Sequence, residues 1–313
     1  MLSTITRTRE VAVPLPPHLR RFGAATLARV TGDRGPLVVA LGGISADRFV
    51  CTAADEGPGW WRGLVGQGCA IDPSDVRVVG LDFVADPAGT TAPSTAEQAE
   101  VLAAALDALD IAAADLILGA SYGGMIALAF AERFPDRVSR LAIVSAPAAP
   151  HPAATAVREL QRRTVAMGLA LGSGAEALSI ARGLAMLTYR TPEEFEARFD
   201  GGIAEPEALA VSAPGAYLRA RGDAYQAVMS PERFLSLSAS IDRHRVDPAA
   251  IPHPVLLIGA TSDRLVPPTQ LEALAAALPD AELHLFDSLY GHDFFLKEAE
   301  ALAPLVARLL AQA

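Results

Sequence analysis

The chain carries a series of short, uninterrupted apolar runs: Leu37-Val-Val-Ala-Leu41, Val78-Val-Gly-Leu81 after Arg77, Leu116-Ile-Leu118, Leu141-Ala-Ile-Val144 within a longer stretch from Val138, and Val255-Leu-Leu-Ile258 before Gly259. Strands buried on both faces read this way, because neither side of the strand meets water. Glu282-Leu-His-Leu-Phe286 predicts one more strand, and Val11-Ala-Val13 and Thr26-Leu-Ala-Arg-Val30 predict edge strands near the N-terminus. Between the runs the apolar spacing turns helical. Ser94 opens a helix to about Leu109, with Glu97 three residues on as a capping box requires. Ile126, Ala127, Phe130, Ala131 and Phe134 share one helical face, and further helices are predicted near Pro268–Leu278 and from about Phe294 to Leu310. From about Pro150 to Val246 the strand runs stop and helical periodicity takes over, as in Val157, Leu160, Gln161, Thr164 and Val165, then Ala177, Leu178, Ala181, Leu184 and Ala185.

Strands alternating with helices imply a mostly parallel sheet covered on both faces. The helical stretch interrupts that rhythm, so the chain divides into a core of residues 1–147 and 249–313 with a helical insertion, 148–248, between the two parts. Ligands of such sheets bind at the carboxyl ends of the strands. The insertion departs from that edge after Val144 and is expected to lie over the site as a lid.

Composition narrows the function classes. The chain has 313 residues, 51% of them hydrophobic, and a formal net charge of −10 with no basic run to reverse it locally. Nucleic acid and anionic membranes are therefore not expected as partners. Cys51 and Cys69 have neither metal-ligand nor disulfide spacing, so no metal is expected and a reduced, cytoplasmic setting fits. The segment Met1–Glu10 lacks the apolar region of a signal peptide, and Gly, Pro, Arg or Asp interrupts every candidate membrane span.

The chemistry is concentrated in Gly119-Ala-Ser121-Tyr-Gly123, between the Leu116–Leu118 run and the helical face that starts at Ile126. A G-x-S-x-G between strand and helix is the nucleophile elbow of the α/β-hydrolase fold, in which the serine hydroxyl stands clear above the sheet. A serine hydroxyl needs a base within hydrogen-bond reach, and the base needs an orienting acid. In this fold the order along the chain is Ser, then Asp or Glu, then His. Asp263 follows the strand at Ile258 and His292 follows the strand at Leu285, both in that order and both at strand ends. His18, His151, His244 and His253 lie in proline-rich or charged segments and are expected to be solvated, and His284 lies within a strand. The oxyanion donors are expected from the N–H of Tyr122 and from the turn after Leu37–Leu41, at Leu41 or Gly42.

From about Leu37 onward the chain resembles the homoserine O-acyltransferase family of α/β-hydrolase-fold enzymes. The resemblance is carried by Gly57-Pro-Gly-Trp-Trp-Arg-Gly-Leu-Val-Gly-Gln-Gly68, Gly119-Ala-Ser-Tyr-Gly-Gly-Met125, Ala181-Arg-Gly-Leu-Ala-Met-Leu-Thr-Tyr-Arg190, Ser262-Asp-Arg-Leu-Val-Pro-Pro268 and Tyr290-Gly-His-Asp-Phe-Phe-Leu296. It implies transfer of an acyl group from acyl-CoA to the hydroxyl of L-homoserine in methionine biosynthesis, with no bound cofactor, in a homodimer. It further implies that Asp293 takes the amino group of the acceptor and that Arg182 and Tyr189 take its carboxylate. Those two are seven residues apart, two helical turns, and share a face. A zwitterion entering a dry pocket needs an opposite charge waiting for each of its own. The expected mechanism is ping-pong through an acyl-Ser121 intermediate.

Leu41-Gly-Gly-Ile-Ser-Ala-Asp-Arg48, with Tyr122 after the serine, is closer to the succinyl-transferring members, so succinyl is slightly preferred over acetyl and Arg48 is the residue expected to meet the distal succinyl carboxylate. Arg158, Arg162 and Arg163 are the expected partners of the CoA phosphates. L-serine as acceptor, a carboxylesterase or thioesterase on the same triad, and a non-catalytic binding member of the fold stay open as alternatives. One methylene separates serine from homoserine and discriminates by only about 1–3 kcal/mol.

Overall fold

The computed structural model describes residues 7–51, 59–199 and 212–312. Residues 1–6 of the N-terminal segment, Gly57 and Pro58 of the resemblance, and residues 200–211 of the expected insertion lie outside them. The strands are β1 (Thr8–Pro14), β2 (Ala25–Thr31), β3 (Leu37–Leu41), β4 (Arg77–Leu81), β5 (Leu116–Ala120), β6 (Leu141–Val144), β7 (Val255–Ala260) and β8 (Ala281–Phe286). They form one sheet in the order β1-β2-β4-β3-β5-β6-β7-β8. Pairing is antiparallel for β1–β2 and β2–β4 and parallel from β4 to β8. This is the expected α/β-hydrolase fold.

Alternate residues of each central strand enter different cores. Val39, Leu41, Ile117, Ile143 and Leu257 face one side, where α1 (Thr95–Ala108) and α2 (Tyr122–Arg133) pack. Val38, Ala40, Leu118, Ala142 and Ile258 face the other, against Trp61 and α10 (Ala299–Leu310). Two dry faces explain why these strands are apolar throughout. α1 starts at the expected capping box: the Glu97 N–H donates to Ser94 Oγ (3.1 Å), and the Ser94 N–H donates to Glu97 Oε2 (2.7 Å).

Three boundaries differ from expectation. β2 lies between β1 and β4, so Thr26–Val30 is internal rather than an edge. Val138 makes only an isolated bridge to Ala114, and the strand proper begins at Leu141. The C-terminal helix breaks at Glu298 (φ −125°, ψ 42°) into α9 (Phe294–Lys297) and α10.

Between β6 and β7 the described helices are α3 (Pro152–Ala170), α4 (Gly174–Tyr189), α5 (Pro192–Arg198), α6 (Ala213–Tyr225) and α7 (Pro231–Asp242). After β7, α8 (Pro268–Ala277) leads to β8. In the α3 and α4 pattern Gln161, Val165, Leu178 and Ala181 are buried as their spacing suggests, but Leu160 and Leu184 are exposed. No helix among the described residues is long and apolar enough to cross a membrane.

Candidate active site

Ser121 closes β5 and precedes α2 with a left-handed backbone (φ 53°, ψ −118°). Such a conformation strains a non-glycine residue and persists only where its surroundings fix it. Here they are backbone and small side chains. A Cβ on Gly119 would lie 2.5 Å from the Gly123 carbonyl oxygen, one on Gly123 2.4 Å from the Leu41 carbonyl, and one on Gly124 2.6 Å from the Ala146 Cβ. The Ser121 N–H donates to the Val144 carbonyl (2.8 Å), and the Gly123 N–H donates to the Gly42 carbonyl (2.8 Å). The elbow is thus bolted to β3 on one side and β6 on the other.

His292 and Asp263 arrive from the ends of β8 and β7. Two backbone N–H groups, from Leu265 (2.9 Å) and Val266 (3.0 Å), donate to Asp263 Oδ1. That leaves Oδ2 for His292 Nδ1, 2.8 Å away. An ionised carboxylate only accepts, so Nδ1 carries the proton and Nε2 is free to accept from Ser121 Oγ, also at 2.8 Å. Asp263 and His292 are both buried. Burial disfavours the charged imidazole, but the charge and hydrogen bond of Asp263, joined by the charge of Asp293, outweigh it and raise the His292 pKa; Arg158 pulls weakly the other way. A base primed in this way can take the serine proton and hold it as imidazolium.

The Tyr122 N–H is the first of α2 and has no intrahelical acceptor. Its phenol is fully buried, accepts from Gln98 Nε2 (3.1 Å) and lies 2.6 Å from Ser240 Oγ; burial pushes it up to about 12. The Leu41–Gly42 turn lies directly against the start of α2, and its neighbour Gly43 faces the chamber in front of Ser121.

That chamber holds about 180 Å³ and is lined by Ser121 and His292 together with Arg182, Tyr189, Asp293 and Arg158. Arg182 lies 4.6 Å from the centre of the Tyr225 ring and 5.1 Å from that of Tyr189, and has no carboxylate partner among the described residues. The Tyr189 ring in turn lies tilted, 5.8 Å centre to centre, beside the His292 ring. Asp293 Oδ2 accepts from Arg190 Nε at 2.9 Å. The described residues hold no group of three or more His, Cys, Asp or Glu side chains able to bind a metal.

Several expected placements are corrected. Arg48 does not line the chamber: Nε donates to Glu10 (2.6 Å), a terminal nitrogen donates to Asp82 (2.7 Å), and the guanidinium lies 4.3 Å from the Phe49 ring centre. Arg158 and Arg162 share a single carboxylate, Asp242, each at 2.6 Å. His244 is not solvated. It is buried between Thr95 Oγ1 (2.8 Å) and the Pro147 carbonyl (2.9 Å), and burial above all pushes its pKa down to about 4. Arg243 and Arg245 are exposed while His244 and Val246 are buried, a period of two that the sequence does contain. Of the others, His18 meets Glu100, His284 meets Glu282, and His151 caps α3. Arg190, quoted above only as the end of a motif, is the cation that holds Asp293.

A strained serine at a strand–helix turn, joined through a histidine to a buried aspartate, is the arrangement that enzymes of the α/β-hydrolase class carry at this place in the fold. Residues 56–299 match the profile of the alpha/beta hydrolase fold family. The chain is 42% identical over 288 residues to a homoserine O-succinyltransferase of Xanthomonas campestris pv. campestris, covering 90% of this chain and 77% of that protein. It is 33% identical over 267 residues to a homoserine O-acetyltransferase of Deinococcus radiodurans, covering 80% and 77%. Among solved structures, esterase E22 superimposes with a TM-score of 0.84 over 98% of this chain and 100% of that one, at 19% identity, a likeness of fold alone. The chain belongs to the homoserine O-acyltransferase family and is an acyltransferase.

Proposed function

We propose that the chain transfers an acyl group, succinyl in preference to acetyl, from acyl-CoA to the hydroxyl of L-homoserine, a step of methionine biosynthesis. The observation that carries this reading is the make-up of one chamber: a nucleophile–base pair, an anion (Asp293) and a carboxylate-free cation (Arg182) all line it. The X. campestris relative, a succinyltransferase, shares more identity than the D. radiodurans acetyltransferase, which supports succinyl.

Ser121 Oγ attacks the thioester carbonyl while its proton passes to His292 Nε2. The tetrahedral oxyanion is met by the Tyr122 N–H and by an N–H of the turn after β3 at Leu41 or Gly42. The C–S bond breaks, the His292 proton goes to the sulfur, and CoA leaves. The acceptor then docks with its ammonium on Asp293 and its carboxylate on Arg182 and Tyr189. Its hydroxyl gives a proton to His292 and attacks the acyl-enzyme, and Ser121 leaves with that proton. Transfer outruns hydrolysis because the alcohol is held where water would otherwise attack. A homodimer through the helical layer belongs to the same proposal; exposed Leu160 and Met167 on α3, Leu171 just after it, and Ile180, Leu184 and Leu187 on α4 support it.

Intact-protein mass spectrometry tests the scheme. Succinyl-CoA or acetyl-CoA alone should add the acyl mass at Ser121, and homoserine should then remove it as O-acylhomoserine. Release by L-serine instead would move the acceptor one methylene shorter. Loss of the acyl group at a rate indifferent to either amino acid would make the protein a thioesterase.

A further inference from the structure

Asp293 does not stand alone. Its carboxylate, Arg190 and Glu194 are all buried, at 9%, 5% and 5% exposure. Arg190 is shared: Nε donates to Asp293 Oδ2 at 2.9 Å, and a terminal nitrogen lies 3.6 Å from Glu194 Oε1. Glu194 Oε1 also meets Arg198, whose side chain is 42% exposed (3.2 Å), while Glu194 Oε2 is buried with no hydrogen-bond partner among the described residues. Asp293 Oδ1 makes no hydrogen bond with the described residues, and Asp293 lines the chamber. The set is held to the His292 loop by backbone. Thr191 Oγ1 donates to the Leu289 carbonyl (2.6 Å) while accepting the Glu194 N–H (3.1 Å). Gly291 (φ 56°) leaves no room for a Cβ, which would lie 2.7 Å from the Tyr189 carbonyl.

A lone Arg190–Asp293 pair is nearly neutral and would attract an ammonium weakly. With Glu194 the buried groups are two carboxylates and one guanidinium; the second guanidinium, Arg198, reaches Glu194 from a side chain that is 42% exposed, where solvent screens its charge, so the charge kept out of water is net negative. Resting on Asp293 as the ammonium partner of the acceptor, we propose that Arg190 and Glu194 are positioning residues for acceptor recognition: Arg190 aims Asp293, and Glu194 restores the negative charge that Arg190 cancels. Glu194 touches no substrate and acts through Arg190. The enzyme's preference for an amino-acid alcohol over the same alcohol without its amine is therefore set in part at the start of α5, outside the chamber.

The test compares L-homoserine with 4-hydroxybutyrate, the same molecule lacking the amine, as acceptors for the acylated enzyme. In Glu194→Gln the ratio of kcat/KM values, homoserine over 4-hydroxybutyrate, should fall by about tenfold. Merely structural damage lowers both acceptors alike and leaves the ratio unchanged, which would overturn the proposal. Glu194→Asp keeps the charge and should hold the ratio within about threefold of wild type; a full fall there would show that charge is not the cause. It also serves as the readout if the Gln variant does not fold. Wild-type enzyme that fails to acylate homoserine at all would overturn the proposed function instead.

Discussion

The two sides of the chamber are built by different means. On the sheet side, the nucleophile is held by main chain: Gly119, Gly123 and Gly124 are pressed against backbone and Ala146, and Ser121 has only the geometry that this packing leaves. On the helical side, the groups that face the acceptor are held by side chains: Arg182 by two tyrosine rings, Asp293 by Arg190, and Arg190 by Glu194. Backbone packing is nearly all-or-none, whereas rings and ion pairs can be exchanged one at a time. Under the proposed function, the reaction is therefore fixed by the first side, and the choice of acceptor is adjustable on the second.

The largest effect should come from removing the nucleophile. Ser121→Ala should cut acyl transfer by about 10⁴-fold or more, since members of such a triad act as a unit. A variant that still forms acylhomoserine from succinyl-CoA at the wild-type rate would show that the elbow is not the site. The next test separates backbone packing from mere proximity. Gly123→Ala drives a methyl into the Leu41 carbonyl, whereas a methyl on Gly43 would meet nothing within 4 Å. The first should lower unfolding free energy by about 3 kcal/mol and the second by less than about 1 kcal/mol, read from urea midpoints. Equal losses would erase the distinction drawn for the sheet side. On the helical side, Arg182→Ala should lower kcat/KM for homoserine about 100-fold, as removal of a charged hydrogen-bond donor does, and should affect acyl-enzyme formation far less. Equal losses in both half-reactions would place Arg182 in the general architecture instead.

The same division explains how far the sequence could be read. Close backbone packing is local, so it leaves a local mark: G-x-S-x-G, the capping box at Ser94 and Glu97, and apolar runs for strands with two dry faces. Asp263 and His292 were legible because the fold places them at strand ends in a known order. Side-chain pairs leave no such mark. Arg190 and Asp293 are 103 residues apart, and nothing in either segment names the other. Glu194 had one signal, its i,i+4 spacing from Arg190, but that spacing is common on helix surfaces, and here the turn at Thr191 buries it. The likeness of Leu41–Arg48 to the succinyl-transferring members likewise carries no mark of the partners of Arg48, Glu10 and Asp82, which hold its guanidinium away from the chamber.

Acid should reveal the coupling between the two sides. His292 must be neutral to accept the serine proton, and the Asp263 and Asp293 charges raise its pKa against burial, so the acid limb of activity lies higher than an ordinary histidine would place it. Asp293 is one of the charges that raise it. In Asp293→Asn that support is lost, so the acid limb of acyl-enzyme formation should move to lower pH. A limb that stays in place or moves upward would show that Asp293 does not reach His292 electrically.

Arg48→Ala should have the smallest effect, and it tests whether nearness along the chain matters. Its ion pairs with Glu10 and Asp82 are partly open to water, with side-chain exposures of 18% for Arg48, 38% for Glu10 and 24% for Asp82. Solvent screens such pairs, so their loss together with contact to the Phe49 ring should cost about 1 kcal/mol of stability. Because the guanidinium is turned toward β1 and the end of β4, the ratio of kcat/KM for succinyl-CoA over acetyl-CoA should not change. A fall in that ratio would mean that Arg48 leaves its two carboxylates to meet the acyl chain. The sheet side of the chamber would then hold an exchangeable ion pair of its own, and the contrast between a fixed reaction side and an adjustable recognition side would fail at that point.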